Sequence, residues 1–433
     1  MLSLWRPNFG TRWHCSELRG HESVIATFCR SCGAALGRTV FDLGLVPIAN
    51  EYPASEKECE TEQRYPLKIR LCEQCWLVQL EEGVSPSRLF SDYSYFSSYS
   101  DTWTYHAKQF AETFLKRCHL DDRSLVVEVA SNDGYLLKHF VAAGIPVLGV
   151  EPAENVVVDA RAAGVPTEVG FFGMELAERL SAKGVAADLL VANNVFAHVP
   201  DTNDFAAGLA RVLAAEGILS IEFPELSTML LGAQFDQIYH EHVFYFSLLS
   251  CEAILRRNGL RVFAVERLAT HGGSLRIIAC RESARYDEDS SVGAKRAEER
   301  ELGLGETDAY DQFAVAAGRR AASVRSFLED AAANGAKVAG YGAAAKGNTL
   351  LNYCGVSTRE ISYVVDRSPH KQGRFLPGTH LPIFAPETLL SDRPDYVVVL
   401  AWNLLDEVRN SFPEVGEWGG AFVTTMPSLT VLT

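Results

Sequence analysis

The stretch VVEVASNDGYLL, Val126 to Leu137, passes from a β-rich run through small and polar residues into an apolar helical pattern. A turn of that kind between strand and helix lets backbone N–H groups approach a ligand at the helix N-terminus. Working outward, GYLLKHFVAAG supplies the helix and PVLGVEP the next strand, which ends at Glu151. A carboxylate there can accept hydrogen bonds from both hydroxyls of a ribose. A further helix, ENVVVDARAAG, leads to ADLLVANN, which puts Asn193 and Asn194 at the carboxyl end of a third strand, where ligands sit in such sheets. After one more helix comes GILSIEFPE. This βαβα alternation predicts a doubly wound parallel sheet within residues 88–297.

The 433-residue chain exceeds one ordinary core, so two or three domains are expected. Residues 1–87 carry FCRSCG and RLCEQCW, two C-x-x-C pairs with 39 residues between Cys32 and Cys72. Cys29, Cys32, Cys72 and Cys75 can place four thiolates in a tetrahedron around a structural zinc ion; unrelated buried thiols or two redox pairs are the alternatives. Cys15 and Cys59 are spare. Past residue 285, a charged stretch reads as one or two connecting helices, and the α/β pattern restarts in the block 298–433 with AKVAGYGAAAKGNTLLNYCG, ISYVVDRS and DYVVVLAWN. A net charge of −15 argues against nucleic acid or an anionic membrane as partner. No apolar run reaches the roughly 18 residues of a spanning helix, and the N-terminus lacks an apolar secretion core, so a cytoplasmic protein is expected.

Chemistry concentrates in FDQIYHEHVFYFS, residues 235–247, where Tyr239, His240, Glu241 and His242 are consecutive. Such a cluster is either a satisfied polar patch between domains or a device that moves protons. In an extended segment, residues 241 and 242 point to opposite sides, so joint action needs a bend. THGGSLR, residues 270–276, is a glycine turn that either lines a pocket or is an ordinary loop. In GYGAAAKG, Gly340, Gly342 and Ala345 satisfy G-x-G-x-x-A, and Asp366 closes the next strand. Taken alone, that motif spells a nicotinamide-dinucleotide site and an NAD(P)-dependent oxidoreductase.

The order of the two Cys pairs, EVASNDGYLL, NNVFAHVPD, IYHEHVFYFS, THGGSLR and GYGAAAKGNTLLN resembles the S-adenosylmethionine-dependent sugar C-methyltransferases of deoxysugar pathways. The likeness covers about residues 27–430. It implies an α/β protein with a small zinc-binding N-terminal domain, a central Rossmann-like class I methyltransferase domain and a C-terminal Rossmann-like domain. The generic methyltransferase signature E-x-G-x-G-x-G reads here as Glu128, Ala130, Asn132 and Gly134, with two glycines absent. Together with Glu151, Asn193 and Asn194, these are the cofactor positions.

The resemblance further implies methyl transfer to C3 of a nucleotide-linked 4-keto deoxysugar. The neighbouring ketone makes the C3 proton removable, so a base and an enolate-stabilising donor are required. Tyr239, Glu241 and His242 match the family's Tyr-x-Glu-His group, and His198 and Tyr93 match two further active-site positions. His242 is the expected base, with Glu241 orienting it or relaying its proton; His198 or a tyrosine would face the enolate oxygen, and His240 is the competing base. By the same likeness, the C-terminal turn serves the nucleotide sugar, through Gly340, Gly342, Ala345, Lys346 and Asp366. Arg367, Lys371 and Arg374 lie nearby as local cations. The rival expectations are the oxidoreductase and a non-catalytic nucleotide-sugar binding protein. A single chain is the simplest working unit.

Overall fold

In the computed structural model, residues 24–25, 27–85, 88–89, 98 and 101–433 are described; Tyr93 lies outside them. Near the N-terminus, β1 (Val24–Ile25) pairs with β5 (Glu82–Gly83), while β2 (Arg38–Val46), β3 (Tyr65–Leu71) and β4 (Val78–Leu80) form an antiparallel sheet. The central strands are β6 (Val126–Val129), β7 (Val147–Glu151), β8 (Thr167–Val169), β9 (Ala187–Asn193), β10 (Leu213–Pro224), β12 (Leu260–Leu268) and β13 (Ser274–Arg281). They assemble in the order β12-β13-β10-β9-β6-β7-β8. The run from β10 to β8 is parallel, and β12 and β13 add an antiparallel edge. The short strand β11 (Phe244–Tyr245) leaves this sheet and pairs with β4, supplying the fourth strand of the N-terminal sheet.

The charged stretch forms two helices, Ser290–Glu301 and Asp308–Ala333. The first is pinned by Lys295, whose ammonium is buried against Glu225, Glu298 and Glu299. Glu299 in turn accepts from the backbone N–H groups of Leu248 and Leu249 at the start of helix Leu248–Arg257. The C-terminal sheet comprises β14 (Val338–Tyr341), β15 (Tyr363–Val365), β16 (Ile383–Phe384), β17 (Tyr396–Val399), β18 (Ala421–Thr424) and β19 (Thr430–Leu432). Its order is β16-β15-β14-β17-β18-β19, parallel except for β19. Parallel strands buried on both faces explain the predominantly apolar runs VVEV, YVVV and AFVT, broken only by Glu128 and Thr424 apart from the tyrosine hydroxyl.

One apolar core joins the ends of the chain. Val40, Leu67 and Ile69 of the N-terminal sheet pack with Tyr310 and Phe313 of the long helix and with Leu350 and Leu400 of the C-terminal unit. The carboxyl ends of the central strands therefore face a cavity that the other two sheets help to close.

Candidate active site and metal centre

The turn after β6 adopts the geometry of a glycine loop without its glycines. Ala130 (φ 57°), Asn132 (φ 50°) and Gly134 (φ 77°) all lie in the left-handed region. Asparagine tolerates that conformation, and alanine bears a cost of about 1–2 kcal/mol there. Glu151, at the end of β7, accepts from Asn132 N and Ala153 N, both at 3.0 Å, which holds the turn against the strand end and leaves a lone pair on each oxygen. Asn193 bridges Glu222 and Ser220, whereas the Oδ1 and Nδ2 atoms of Asn194, itself at φ 54°, are buried without a partner. Glu128 is sealed in the sheet, its carboxyl raised well above the usual range by burial and by the nearby Asp133, Glu151 and Glu222. Ala130, Asn132, Glu151, Asn193 and Asn194 line the cavity; Glu128 and Gly134 stand behind it. The Glu151 lone pairs and the orphaned Asn194 amide at the cavity fit an adenosine-bearing cofactor.

The segment 239–242 is a turn closed by His242 N donating to Tyr239 O at 3.0 Å. That bend removes the alternation of an extended chain: Tyr239, Glu241 and His242 all line the cavity, and His240 does not. His240 packs edge-on against Tyr65, its ring centroid 6.0 Å away. His242 Nδ1 lies 3.2 Å from Gln237 O and its Nε2 2.6 Å from Tyr239 Oη. The carbonyl can only accept, so Nδ1 carries the proton and Nε2 accepts from the phenol. Burial, then the adjacent His198, Lys346 and His271, push the His242 imidazole well below its ordinary value. His198 packs edge-on to it at 4.9 Å and is lowered to about 4 by burial. Glu241 moves the opposite way, to about 7 by burial, with the Asn50 amide 2.5 Å from its Oε1 pulling it back.

Several cavity residues escaped the sequence reading. Asn50 reaches in from the N-terminal unit, and Tyr52 stands behind it, its hydroxyl donating to Ala343 O at 2.6 Å. Trp103 and His106 come from helix Asp101–Arg117, with His106 Nε2 at 3.0 Å from Glu222, which Arg276 also holds. These are single polar or aromatic residues without local pattern; only an acid in the apolar run ILSIEFP gave a signal, as Glu222. THGGSLR forms a cavity wall. His271 lines it at φ 55°, and a Cβ on Gly272 would stand 2.0 Å from the Trp402 ring.

In the C-terminal turn, Gly340 and Gly342 serve packing: added Cβ atoms would meet Val364 Cγ2 at 2.9 Å and Ala401 Cβ at 3.2 Å. Asp366 accepts from Ala343 N at 2.7 Å and Ser368 N at 2.8 Å, so this acid braces its own turn. Ala345 and Lys346 reach the cavity, as does Lys371, which donates to Ala343 O.

Cys29, Cys32, Cys72 and Cys75 gather with all sulfurs within 4.8 Å of one another. The Cys29–Cys75 and Cys32–Cys72 separations are 3.6 and 3.5 Å, against the roughly 3.8 Å edge of a tetrahedron with Zn–S bonds near 2.3 Å. Each pair ends in a left-handed residue, Gly33 or Trp76, whose N–H returns to the first cysteine's carbonyl. Gln79 Nε2 and Ser31 N point at Cys29 Sγ, as outer-layer donors to a thiolate do. The four sulfurs fit a closed, structural zinc site.

The cavity that the three units share has a volume of about 2410 Å³, more than the roughly 300–1,000 Å³ of a single small-ligand pocket, and so accommodates a cofactor and a second molecule. Fold and site define an S-adenosylmethionine-dependent methyltransferase with a zinc-binding N-terminal unit. Family profiles match a zinc binding domain over residues 29–90, a methyltransferase domain over 103–265 and a C-methyltransferase C-terminal domain over 269–427. The chain is 36% identical to the C-methyltransferase NovU of Streptomyces niveus over 404 residues, 93% of this chain and 96% of that one, and it belongs to the C-methyltransferase family. Among solved structures, magnesium protoporphyrin IX methyltransferase (ChlM) of Synechocystis PCC 6803 with bound SAH is 16% identical, covers 41% of this chain and 83% of its own, and has a TM-score of 0.33. The PH0226 protein of Pyrococcus horikoshii OT3 is 18% identical, covers 46% and 100%, and has a TM-score of 0.36.

Proposed function

We propose that this C-methyltransferase acts on a sugar carbon, C3 of a nucleotide-linked 4-keto deoxysugar, after base-catalysed removal of the proton next to the ketone. The supporting observation is the convergence of Tyr239, Glu241 and His242 on the cavity that the cofactor turn also lines. S-adenosylmethionine, when bound, supplies an electrophilic methyl group; the chain must supply a carbanion. Gln237 O fixes Nδ1–H of a buried, neutral His242, and its Nε2 lone pair takes the carbon-bound proton once the Tyr239 hydroxyl turns from it to the substrate oxygen. Tyr239 or His198 then faces the enolate oxygen. The residues proposed to contact the cofactor are Ala130, Asn132, Glu151, Asn193 and Asn194, with Glu128 and Gly134 shaping the turn behind them. The C-terminal unit is assigned to the nucleotide sugar, since Lys346 and Lys371 line the shared cavity whereas Asp366, unlike Glu151, does not.

A second base is favoured by one observation: the Glu241 carboxyl, at about 7, is the cavity group matched to neutral pH. A reducing, cytoplasmic setting agrees with the free thiols and the absence of disulfides among the described residues; no described helix is long and apolar enough to cross a membrane. The test is incubation with labelled S-adenosylmethionine and a panel of thymidine- and guanosine-diphosphate-linked 4-keto-6-deoxyhexoses, with deuterium exchange at C3 followed in parallel. Label on carbon together with C3 exchange is expected. Methylation without exchange of any carbon-bound hydrogen would remove the carbanion route.

A further inference from the structure

Lys346 is the second residue of the helix Ala345–Tyr353, and its side chain lines the cavity. It donates to His271 O at 2.5 Å and lies 5.1 Å from the centre of the Trp402 ring. The residue is only 9% exposed, and the one carboxylate that acts on its charge is Asp236. A buried ammonium held by a carbonyl and an indole face, with donors to spare, is arranged for negative charge carried by or developing on the substrate. The wall around it is the reacting end of the cavity: His271 on one side, and beyond it the Tyr239–His242 pair. The titratable groups facing it are Asp236 on the 235–237 turn, His242 and His271. Asp236 is already engaged by Trp402 Nε1 at 2.6 Å.

We infer that Lys346 is a catalytic residue that stabilises the enolate oxygen formed when the carbon acid loses its proton, so that the C-terminal unit completes the active site as well as holding the substrate. The inference rests on the carbon-acid reading above. In the step, the C–H bond breaks, its proton goes to the protein base, and its electron pair becomes the C=C of an enolate whose oxygen receives a hydrogen bond from the ammonium. Lys346 keeps all its protons. When the new C–C bond forms, the ketone returns, the S–CH3 bond breaks and a neutral thioether leaves. The competing placement, on the diphosphate, requires the same cation to act in binding alone.

Burial lowers the Lys346 ammonium to about 8, with Asp236 pulling it back. Stabilisation by the cation is therefore present below that pH and lost above it. The experiment measures C3 deuterium exchange without S-adenosylmethionine, from pH 6 to 10, for the wild type, Lys346→Met and Lys346→Arg, using whichever sugar of the panel the wild type exchanges. Calorimetry gives the affinity for that sugar, and thermal melts report folding. The expected result is a loss of exchange of about 100-fold in Lys346→Met, the scale for one lost oxyanion donor, at unchanged affinity. Lys346→Arg should recover part of the rate and shed the fall above pH 8. Loss of sugar affinity with normal exchange once bound assigns Lys346 to the diphosphate and overturns the inference, as does exchange equal to wild type. No exchange by the wild type with any sugar overturns the carbon-acid reading instead, and this inference with it.

Discussion

The two candidate bases sit on adjacent residues and are displaced in opposite directions, which makes them separable. His242 is held well below the ordinary imidazole value, chiefly by burial, and Glu241 is pushed up to about 7, also by burial. Either works only when unprotonated. With His242 as base, the rate of C3 exchange should hold as pH falls through 7 and fail well below 6.5; with Glu241 it should drop as pH falls through about 7. The expected outcome is the first, with His242→Asn nearly abolishing turnover while calorimetry still shows S-adenosylmethionine binding. Glu241→Gln is expected to slow exchange without moving the acid limb. A limb near 7 that vanishes in Glu241→Gln transfers the role to the carboxylate. The sequence revealed the cluster because four such residues in a row are rare in a packed core. It did not reveal which of them share a face, because that depends on one backbone hydrogen bond, His242 N to Tyr239 O.

At the scale of the element, the β6 turn shows that a glycine motif specifies backbone angles, which other residues can adopt. Ala130 and Asn132 take the positive φ that the signature assigns to glycine. Ala130→Gly should therefore retain cofactor binding and change stability by no more than about 1 kcal/mol, since relief of the left-handed alanine is offset by the freer unfolded chain. Gly134 differs: its φ is 77°, and an added Cβ would meet Val165 Cγ2 at 3.0 Å and Ala160 Cα at 3.3 Å. Gly134→Ala should cost about 1–3 kcal/mol by denaturant titration. A neutral Gly134→Ala, or an Ala130→Gly variant that no longer binds S-adenosylmethionine calorimetrically, contradicts this account of the turn. The strands themselves were legible from apolar runs alternating with helical periodicity. β11 was not: FYF continues an aromatic stretch, and its partner β4 lies more than 160 residues earlier in the chain. No local pattern encodes such a pairing.

Across the whole molecule, that pairing links the metal centre to the reacting groups. Cys72 and Cys75 open the segment that becomes β4, where Gln79 donates to Cys29 Sγ and lies opposite Phe244 of β11. Leu80 N donates to Val243 O at 2.8 Å, one residue past His242. Asn50, from the same N-terminal unit, holds Glu241. The N-terminal unit is thus one wall of the active site, and a small unit with few apolar layers depends on its metal to keep that wall in place. Removing zinc, by Cys72→Ser or by chelation, should lower the melting temperature and raise amide hydrogen exchange in two distant stretches together, residues 72–80 and 239–247. Exchange in β6, β7 and β9 should stay slow, because Val126, Val147, Leu189 and Val191 pack into a core with Phe110, Phe114 and Phe140 that includes no residue of the N-terminal unit. The measurement is hydrogen exchange by mass spectrometry with zinc content determined on the same samples. Loosening of 72–80 alone, with 239–247 still protected, would show that the catalytic turn is held by the central sheet and that the metal stabilises only its own knuckles.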